Sequence, residues 1–199
     1  MSTKEFGEDQ YWENRYQEKD EEYEWYQPWC ANRKYVLPLL NQCKVKEILN
    51  LGCGNSPMGI EMLKDGFDRI INIDISPSVI KQMKERYKQE NRVEWITMDC
   101  TKLDFPEDSF DAVIEKGTID ALVCKNDKGS SINDLLKESF RVLRRGGIFL
   151  SISFGKPSLR LNYFREANLT WSVLDPIEIP KIMIPNQYYY LFAAIKTKS

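Results

Sequence analysis

Short apolar runs alternate with segments of helical period from Lys46 through the middle of the chain. This alternation is typical of a parallel sheet covered by helices, because parallel strands need a crossover between them. The apolar runs predict strands at residues 47–51, 69–73, 93–98, 110–114 and 148–154. Towards the C-terminal end, residues 171–174 and 188–195 have strand composition, and the prolines between them leave no room for a helix. We therefore predict an α/β fold with helices on both faces and a mostly parallel sheet that ends in an antiparallel hairpin.

Two serine-proline pairs predict helix starts. Serine caps a helix N-terminus and proline fits its first position, so a helix is expected after Ser56 with Pro57 and another after Ser76 with Pro77. A later helix is expected to end at residues 144–147, because arginine suits a helix C-terminus and glycine supplies a left-handed cap.

A glycine pair, Gly52 and Gly54, lies directly after the first predicted strand. Such sheets bind ligands at the carboxyl ends of the strands, where glycines let a ligand approach the backbone. A dinucleotide site has a third glycine at the position of Pro57, where the helix approaches a pyrophosphate. The pattern therefore favours S-adenosylmethionine over NAD, and a Rossmann-like class I methyltransferase sheet over a dehydrogenase, with both glycines against the cofactor. A tight turn without a ligand is the alternative.

Two acids follow the next two predicted strands. Asp74 comes 20 residues after Gly54, the spacing at which a carboxylate accepts hydrogen bonds from both ribose hydroxyls. An acid at the start of a helix, ahead of Ser76, is the alternative. Asp99 ends the third strand, where a carboxylate accepts from the adenine amine while Cys100 lines the ring; a loop carboxylate is the alternative. We therefore predict cofactor contacts from Asp74, Asp99 and Cys100.

Glu115 and Lys116 follow the fourth predicted strand, at the centre of the expected crevice. Their position predicts that both contact the cofactor. Most charged pairs in loops are solvated salt bridges, and that is the alternative.

The N-terminal residues are acidic and rich in aromatic side chains, unlike a disordered tail. Trp12 and Tyr16 lie four residues apart and share one face of a predicted short helix. Because an aromatic face attracts a cation within about 6 Å, Trp12, Tyr16 and Trp25 are expected to cover the sulfonium of the cofactor. Packing onto the core is the alternative. We therefore divide the chain into an aromatic lid, residues 1–30, and a methyltransferase domain, residues 31–199.

The composition excludes several kinds of site. The 199 residues include no histidine, and the five cysteines form no Cys-x-x-Cys pair, so we expect no metal. A net charge of −2 argues against a nucleic-acid partner. No apolar run approaches the roughly 20 residues that span a bilayer, and the N-terminus has no targeting pattern. We therefore expect a cytoplasmic protein without a membrane partner, and we expect a monomer.

Several blocks of the sequence resemble the elongation factor 1-alpha lysine methyltransferases, in particular the small single-domain members. The blocks lie at residues 11–16, 51–56, 98–99, 103–106, 109–111, 115–122 and 141–143. The Glu-Lys-Gly-Thr-x-Asp-Ala-Leu and Tyr-Trp-x-x-Arg-Tyr blocks are similar to this family specifically. The resemblance implies an S-adenosylmethionine-dependent protein-lysine methyltransferase that acts on elongation factor 1-alpha. It also implies cofactor contacts from Trp12, Tyr16, Trp25, Gly52, Asp74, Ile75, Asp99, Cys100 and Lys116.

Residues 123–131 look shorter than the same stretch in those relatives, and loops beside a crevice choose the substrate. Another protein, such as citrate synthase, and a small molecule are therefore alternative acceptors, and a non-catalytic cofactor-binding scaffold is the alternative to an enzyme. Transfer to lysine needs a neutral amine, and burial lowers the lysine pKa from its usual value of about 10.4. Asp120 or Glu115 is a candidate to orient that amine, and we assign no catalytic base.

Overall fold

The computed structural model describes residues 3–197. A short 3-10 helix, Thr3–Gly7, comes first. The α-helices are α1 (Asp9–Glu18), α2 (Trp29–Gln42), α3 (Met58–Leu63), α4 (Pro77–Arg86), α5 (Thr118–Leu122), α6 (Ser130–Val142) and α7 (Pro157–Glu166). The strands are β1 (Glu47–Leu51), β2 (Arg69–Asp74), β3 (Val93–Thr97), β4 (Phe110–Lys116), β5 (Leu143–Ser153), β6 (Trp171–Val173), β7 (Ile177–Pro180) and β8 (Tyr188–Lys196).

The strands form one sheet in the order β3-β2-β1-β4-β5-β8-β6, and β7 also pairs with β8. Strands β1 to β5 are parallel. Strand β8 runs antiparallel to β5, and β6 and β7 run antiparallel to β8. The predicted fold class, a mostly parallel sheet that ends in an antiparallel hairpin, is confirmed.

Successive strand residues face opposite sides of the sheet. Ile48 of β1 packs in one core with Leu40 of α2 and Met62 of α3. Its neighbour Leu49 packs in a second core with Leu136 of α6. Because helices cover both faces, the strands are buried on both sides, which explains their almost continuous apolar sequences.

The predicted cap at Ser76 is present, whereas α3 begins one residue later than predicted, at Met58, with Pro57 rather than Ser56 in the N-cap position. The Ser56 hydroxyl accepts a hydrogen bond from the Met58 backbone N–H at 3.1 Å. The Ser76 hydroxyl accepts from the Val79 backbone N–H at 3.3 Å.

The boundary between α6 and β5 differs from the prediction. Helix α6 ends at Val142 and β5 begins at Leu143, so residues 144–147 belong to the strand and do not cap the helix. Phe110 of β4 pairs with Leu143, and the register then shifts, which forms a bulge. Gly146 has φ +80°, the backbone conformation that such a bulge favours. The sequence also did not indicate α2, α5, α7 or β7.

No helix within residues 3–197 combines the length and the apolar character needed to cross a bilayer.

A buried polar contact fixes how closely α3 approaches the sheet. Asn50 of β1 donates from its side-chain amide to the side-chain oxygen of Asn72 on β2, at 2.8 Å. A Cβ atom placed on Gly59 of α3 would lie 2.5 Å from that same oxygen. The helix can pack here only because residue 59 has no side chain.

Replacing Gly59 with alanine tests this packing. Helix propensity alone favours alanine by about 1 kcal/mol, whereas overpacking a core costs about 1–3 kcal/mol. The net expectation is that Gly59→Ala lowers the free energy of unfolding, measured in urea, by up to about 2 kcal/mol. In an Asn72→Ala background the same substitution should be neutral or stabilising, because the clash is gone. Stabilisation by Gly59→Ala in the wild-type background would contradict the packing described.

Candidate active site

A cavity of about 410 Å³ lies at the carboxyl ends of β1, β2 and β4, beneath the N-terminal segment, residues 3–28. This volume is typical of small-molecule pockets. The predicted contact residues that line it are Trp12, Tyr16, Trp25, Gly52, Gly54, Asp74, Ile75, Asp99, Cys100 and Lys116. Glu115 does not line it. The fold therefore brings nearly all the predicted site residues to one place.

The turn after β1 requires its two glycines. Gly52 and Gly54 have φ values of +58° and +52°, which side chains rarely adopt. A Cβ atom at Gly54 would lie 2.6 Å from the hydroxyl oxygen of Tyr16, and one at Gly52 would collide with the Thr118 hydroxyl. The bare backbone of this turn is what leaves room at the floor of the cavity.

Asp74 is a buried carboxylate at the end of β2. Its Oδ2 accepts a hydrogen bond from the Gly54 backbone N–H at 2.8 Å, and its Oδ1 accepts from the Ser76 N–H at 3.0 Å. Burial raises the pKa of this carboxyl above its usual value, and the N–H groups of Ser76 and Gly54 act in the opposite direction. Since a carboxylate has about four acceptor positions, these backbone groups leave it able to accept a further hydrogen bond from a ligand hydroxyl. Asp74 thus bonds to backbone N–H groups at the start of a helix, which was the alternative to ribose binding. It also faces the cavity.

Asp99 and Cys100 follow β3 on the far wall. The Asp99 Oδ1 accepts from the backbone N–H and the hydroxyl of Thr101, both at 2.8 Å. Burial raises the pKa of the Cys100 thiol, so this wall carries a neutral sulfur beside an exposed carboxylate. An apolar ring with an amine at its edge suits such a wall.

Lys116 connects the sheet to the N-terminal segment. Its Nζ donates to the Glu24 carboxylate at 2.9 Å and to the Trp25 carbonyl oxygen at 2.7 Å, and its side chain is buried. A solvated pair with Glu115, the alternative raised from the sequence, is therefore wrong. The third donor position of the ammonium group is available to the cavity.

The aromatic side chains of the N-terminal segment pack against one another above the cavity. The ring of Trp12 lies 6.3 Å from that of Tyr16, nearly parallel, and 5.8 Å from that of Trp25, edge to face. Tyr16 is only 4% exposed and belongs to the core. Packing onto the core, the alternative for these aromatics, is thus present in the structure.

Glu13 fixes α1 to the start of α4. Its carboxylate accepts hydrogen bonds from the hydroxyls of Ser76 and Ser78, each at 2.5 Å. Burial acts to raise the pKa of Glu13, but these hydrogen bonds outweigh it and lower the pKa to about 2. A negative charge at a helix N-terminus is also favoured by the helix dipole.

The comparisons with known proteins agree with this geometry. A methyltransferase-domain family model matches residues 49–151. EEF1A lysine methyltransferase 4 from Mus musculus is 34% identical over 174 residues, which cover 82% of this chain and 68% of that protein. The eEF1A lysine and N-terminal methyltransferase from Homo sapiens is 35% identical over 163 residues, 78% of this chain but 22% of that longer protein. The chain belongs to the eEF1A lysine methyltransferase family.

Solved structures show the same fold at low sequence identity. The N-methyltransferase NodS from Bradyrhizobium japonicum WM9, in complex with S-adenosyl-L-homocysteine, has a TM-score of 0.64 and 16% identity, covering 84% of this chain and 88% of that one. The methyltransferase described here uses S-adenosylmethionine as its cofactor. Its donor set suits that molecule, since a buried acid and a glycine turn face the cavity. No group of His, Cys, Asp or Glu side chains among the described residues could hold a metal ion.

Glu115 of this methyltransferase does not occupy its predicted position. Ala112, Ile114 and Lys116 of β4 face the side of the sheet that carries the cavity, so Glu115 faces the other side. Fully buried there, its carboxylate accepts hydrogen bonds from the backbone N–H groups of Thr118 and Ile119, at 2.8 and 3.1 Å, and from a serine hydroxyl on β5. Glu115 therefore caps α5 from behind the cavity wall.

Sequence reasoning missed several residues of this site. Tyr26, Phe154 and Arg160 also line the cavity, as does Asp120, which the sequence offered only as a candidate to orient the amine. Asp120 lies inside the block at residues 115–122 that resembles the family, and that resemblance could have marked it as a site residue. Arg160 lies on α7, a helix that the sequence did not indicate, so nothing marked it.

Glu115 also predicts how stability depends on pH. Burial, then the charge of Asp120, raises its pKa from 4.5 to about 7. Between these two values the folded state holds a proton that the unfolded state releases, so Glu115 makes stability fall as pH rises from about 4.5 to 7. Glu115→Gln, which stays neutral, should reduce that fall in the free energy of unfolding measured at pH 5 and pH 7. An unchanged difference between the two pH values would show that Glu115 titrates normally.

Proposed function

We propose that this methyltransferase transfers a methyl group to a lysine side chain of elongation factor 1-alpha. The observation that carries the proposal is the 34–37% identity, over about four-fifths of the chain, to proteins named eEF1A lysine methyltransferases. This identity covers more of the chain than the family-model match, which spans residues 49–151. Citrate synthase, other proteins and small molecules are the competing acceptors.

The cofactor would lie along the carboxyl ends of the strands. In this proposal Asp74 accepts from the ribose hydroxyls, Asp99 from the adenine amine, and Ile75 and Cys100 line the ring. The backbone of Gly52 and Gly54 would lie close to the cofactor, and Lys116 would face the carboxylate of the cofactor. All of these residues line the cavity, and Asp74 and Lys116 are buried in its wall, which supports the assignment.

The reaction needs positioning more than acid–base chemistry. When bound, S-adenosylmethionine would supply a methyl group carried on a positively charged sulfur. A neutral amine would attack the methyl carbon in line with the carbon–sulfur bond, which breaks and releases S-adenosylhomocysteine. Residues of this chain keep water away and hold the amine in line, and such positioning accounts for a large part of many rate accelerations. Burial of the substrate amine away from water disfavours its charged ammonium form and so lowers the pKa of an incoming lysine.

We further propose that residues 1–30 are a lid that closes over the cofactor, on a methyltransferase domain formed by residues 31–199. Trp12 and Tyr16 would face the sulfonium. One face of Trp25 already holds a cation, the Arg15 guanidinium, 5.4 Å from the ring centre. Trp25 would therefore serve mainly as a wall.

A cytoplasmic location and a monomeric state belong to the same proposal.

Methylation of purified elongation factor 1-alpha tests the proposed function directly. The enzyme, cofactor and unmethylated elongation factor should give a mass increase of about 14 Da per methyl group on a lysine-containing peptide. Excess S-adenosylhomocysteine is the control and should abolish this mass increase, which is the methyl label. Citrate synthase and a protein-free cytosolic extract, tested in parallel, should remain unlabelled. A label only in one of these, with none in the elongation factor, would contradict the proposal.

A further inference from the structure

Tyr26 has an unusual backbone for a bulky residue. Its φ is +70°, in the left-handed region, which large side chains rarely adopt. Such conformations persist where surrounding contacts hold them, and they concentrate at functional sites. Tyr26 also lines the cavity, so the strain lies at the active site.

Three contacts hold the Tyr26 side chain. Its ring stacks on that of Tyr189 with centres 4.7 Å apart. The ring also packs beside Gly117, 3.4 Å from where a Cβ atom on that residue would lie, which is an ordinary van der Waals distance. Its hydroxyl donates a hydrogen bond to the Oδ2 of Asp120. The phenol is therefore fixed in both position and orientation.

Asp120 has no acceptor position left for a substrate. Its Oδ2 also accepts from the Phe154 backbone N–H at 3.2 Å. Its Oδ1 accepts from the Ser153 hydroxyl at 2.6 Å and from the Arg160 guanidinium at 2.5 Å. Four donors saturate a carboxylate. Asp120 therefore cannot accept a hydrogen bond from the substrate amine. Glu115 cannot accept one either, because it lies behind the cavity wall.

The Tyr26 hydroxyl, in contrast, keeps an acceptor position. The hydroxyl donates its proton in the hydrogen bond to Asp120, and no donor among residues 3–197 bonds to the hydroxyl oxygen. Burial, together with the negative charge of Asp120, raises the pKa of Tyr26, so the phenol stays neutral. A neutral phenol oxygen can accept a hydrogen bond from an amine N–H without taking the proton from the amine.

The position of Tyr26 suits a chain that enters from solvent. Phe154, 56% exposed, follows the end of β5 and lines the same cavity, with its ring 6.4 Å from that of Tyr26. A lysine side chain has an apolar stem and a polar tip, and an aromatic wall that ends in a hydroxyl matches both parts.

We propose that the Tyr26 hydroxyl accepts a hydrogen bond from the substrate amine and so aims the nitrogen lone pair, while Asp120 acts as the positioning residue that holds the phenol proton and Phe154 guides the lysine stem. This role rests on the proposed transfer to lysine and names the group that orients the amine.

The test compares Tyr26→Phe with Tyr188→Phe. Each variant loses one hydroxyl and keeps its ring, and Tyr188 is a partly exposed residue of β8 that does not line the cavity. The measurements are kcat and KM for the acceptor that the wild type labels, the Kd for S-adenosylhomocysteine, and the unfolding midpoint. We expect kcat of Tyr26→Phe to fall about tenfold, as for one lost oriented hydrogen bond, with the cofactor Kd and the midpoint nearly unchanged. Tyr188→Phe should match the wild type.

Each other outcome is informative. A kcat for Tyr26→Phe within twofold of wild type would overturn the role of the hydroxyl. A parallel loss of kcat, cofactor affinity and stability would make Tyr26 a structural residue only. If the wild type labels a non-amine acceptor, the proposed function fails and this role fails with it. If it labels lysine while Tyr26→Phe stays fully active, the role alone fails.

Discussion

The carboxyl ends of the parallel strands meet at one edge of the sheet, with Leu51 of β1 opposite Ile73 of β2 and Glu115 of β4. Beyond this edge the backbone N–H groups lose their strand partners, and buried N–H groups need acceptors. Asp74 and Glu115 supply them, on opposite faces of the sheet. These two carboxylates set the shape of the turns that surround the cavity, and burial raises the pKa of both.

The N-terminal segment is anchored to this edge by charged and polar contacts rather than by apolar packing alone. Lys116 bonds to Glu24 and to the Trp25 carbonyl, and Tyr26 bonds to Asp120. Each anchor starts from a residue that also lines the cavity. Water exclusion, cofactor enclosure and orientation of the substrate are therefore expected to depend on the same few contacts, so that loosening the segment would affect all of them.

Much of the fold was predictable because strands buried on both faces have nearly continuous apolar sequences. The cavity wall at the strand ends was predictable because residues such as Asp74 lie where strands end. The wall around Tyr26 was not, because it joins distant parts of the chain: Tyr26 with Asp120, 94 residues apart, and Arg160 on an unpredicted helix. Glu115 was misplaced because adjacent strand residues face opposite sides, so only one of the pair Glu115 and Lys116 can line the cavity.

We propose that the aromatic N-terminal segment closes over the bound cofactor. Hydrogen exchange of the backbone amides between Tyr11 and Tyr26, with and without saturating S-adenosylhomocysteine, measures this closure. We expect a clear gain in protection across these residues on binding, because docking of the segment and binding of the cofactor stabilise one another. Equal protection in both states would contradict it and would leave the segment as a permanent part of the core.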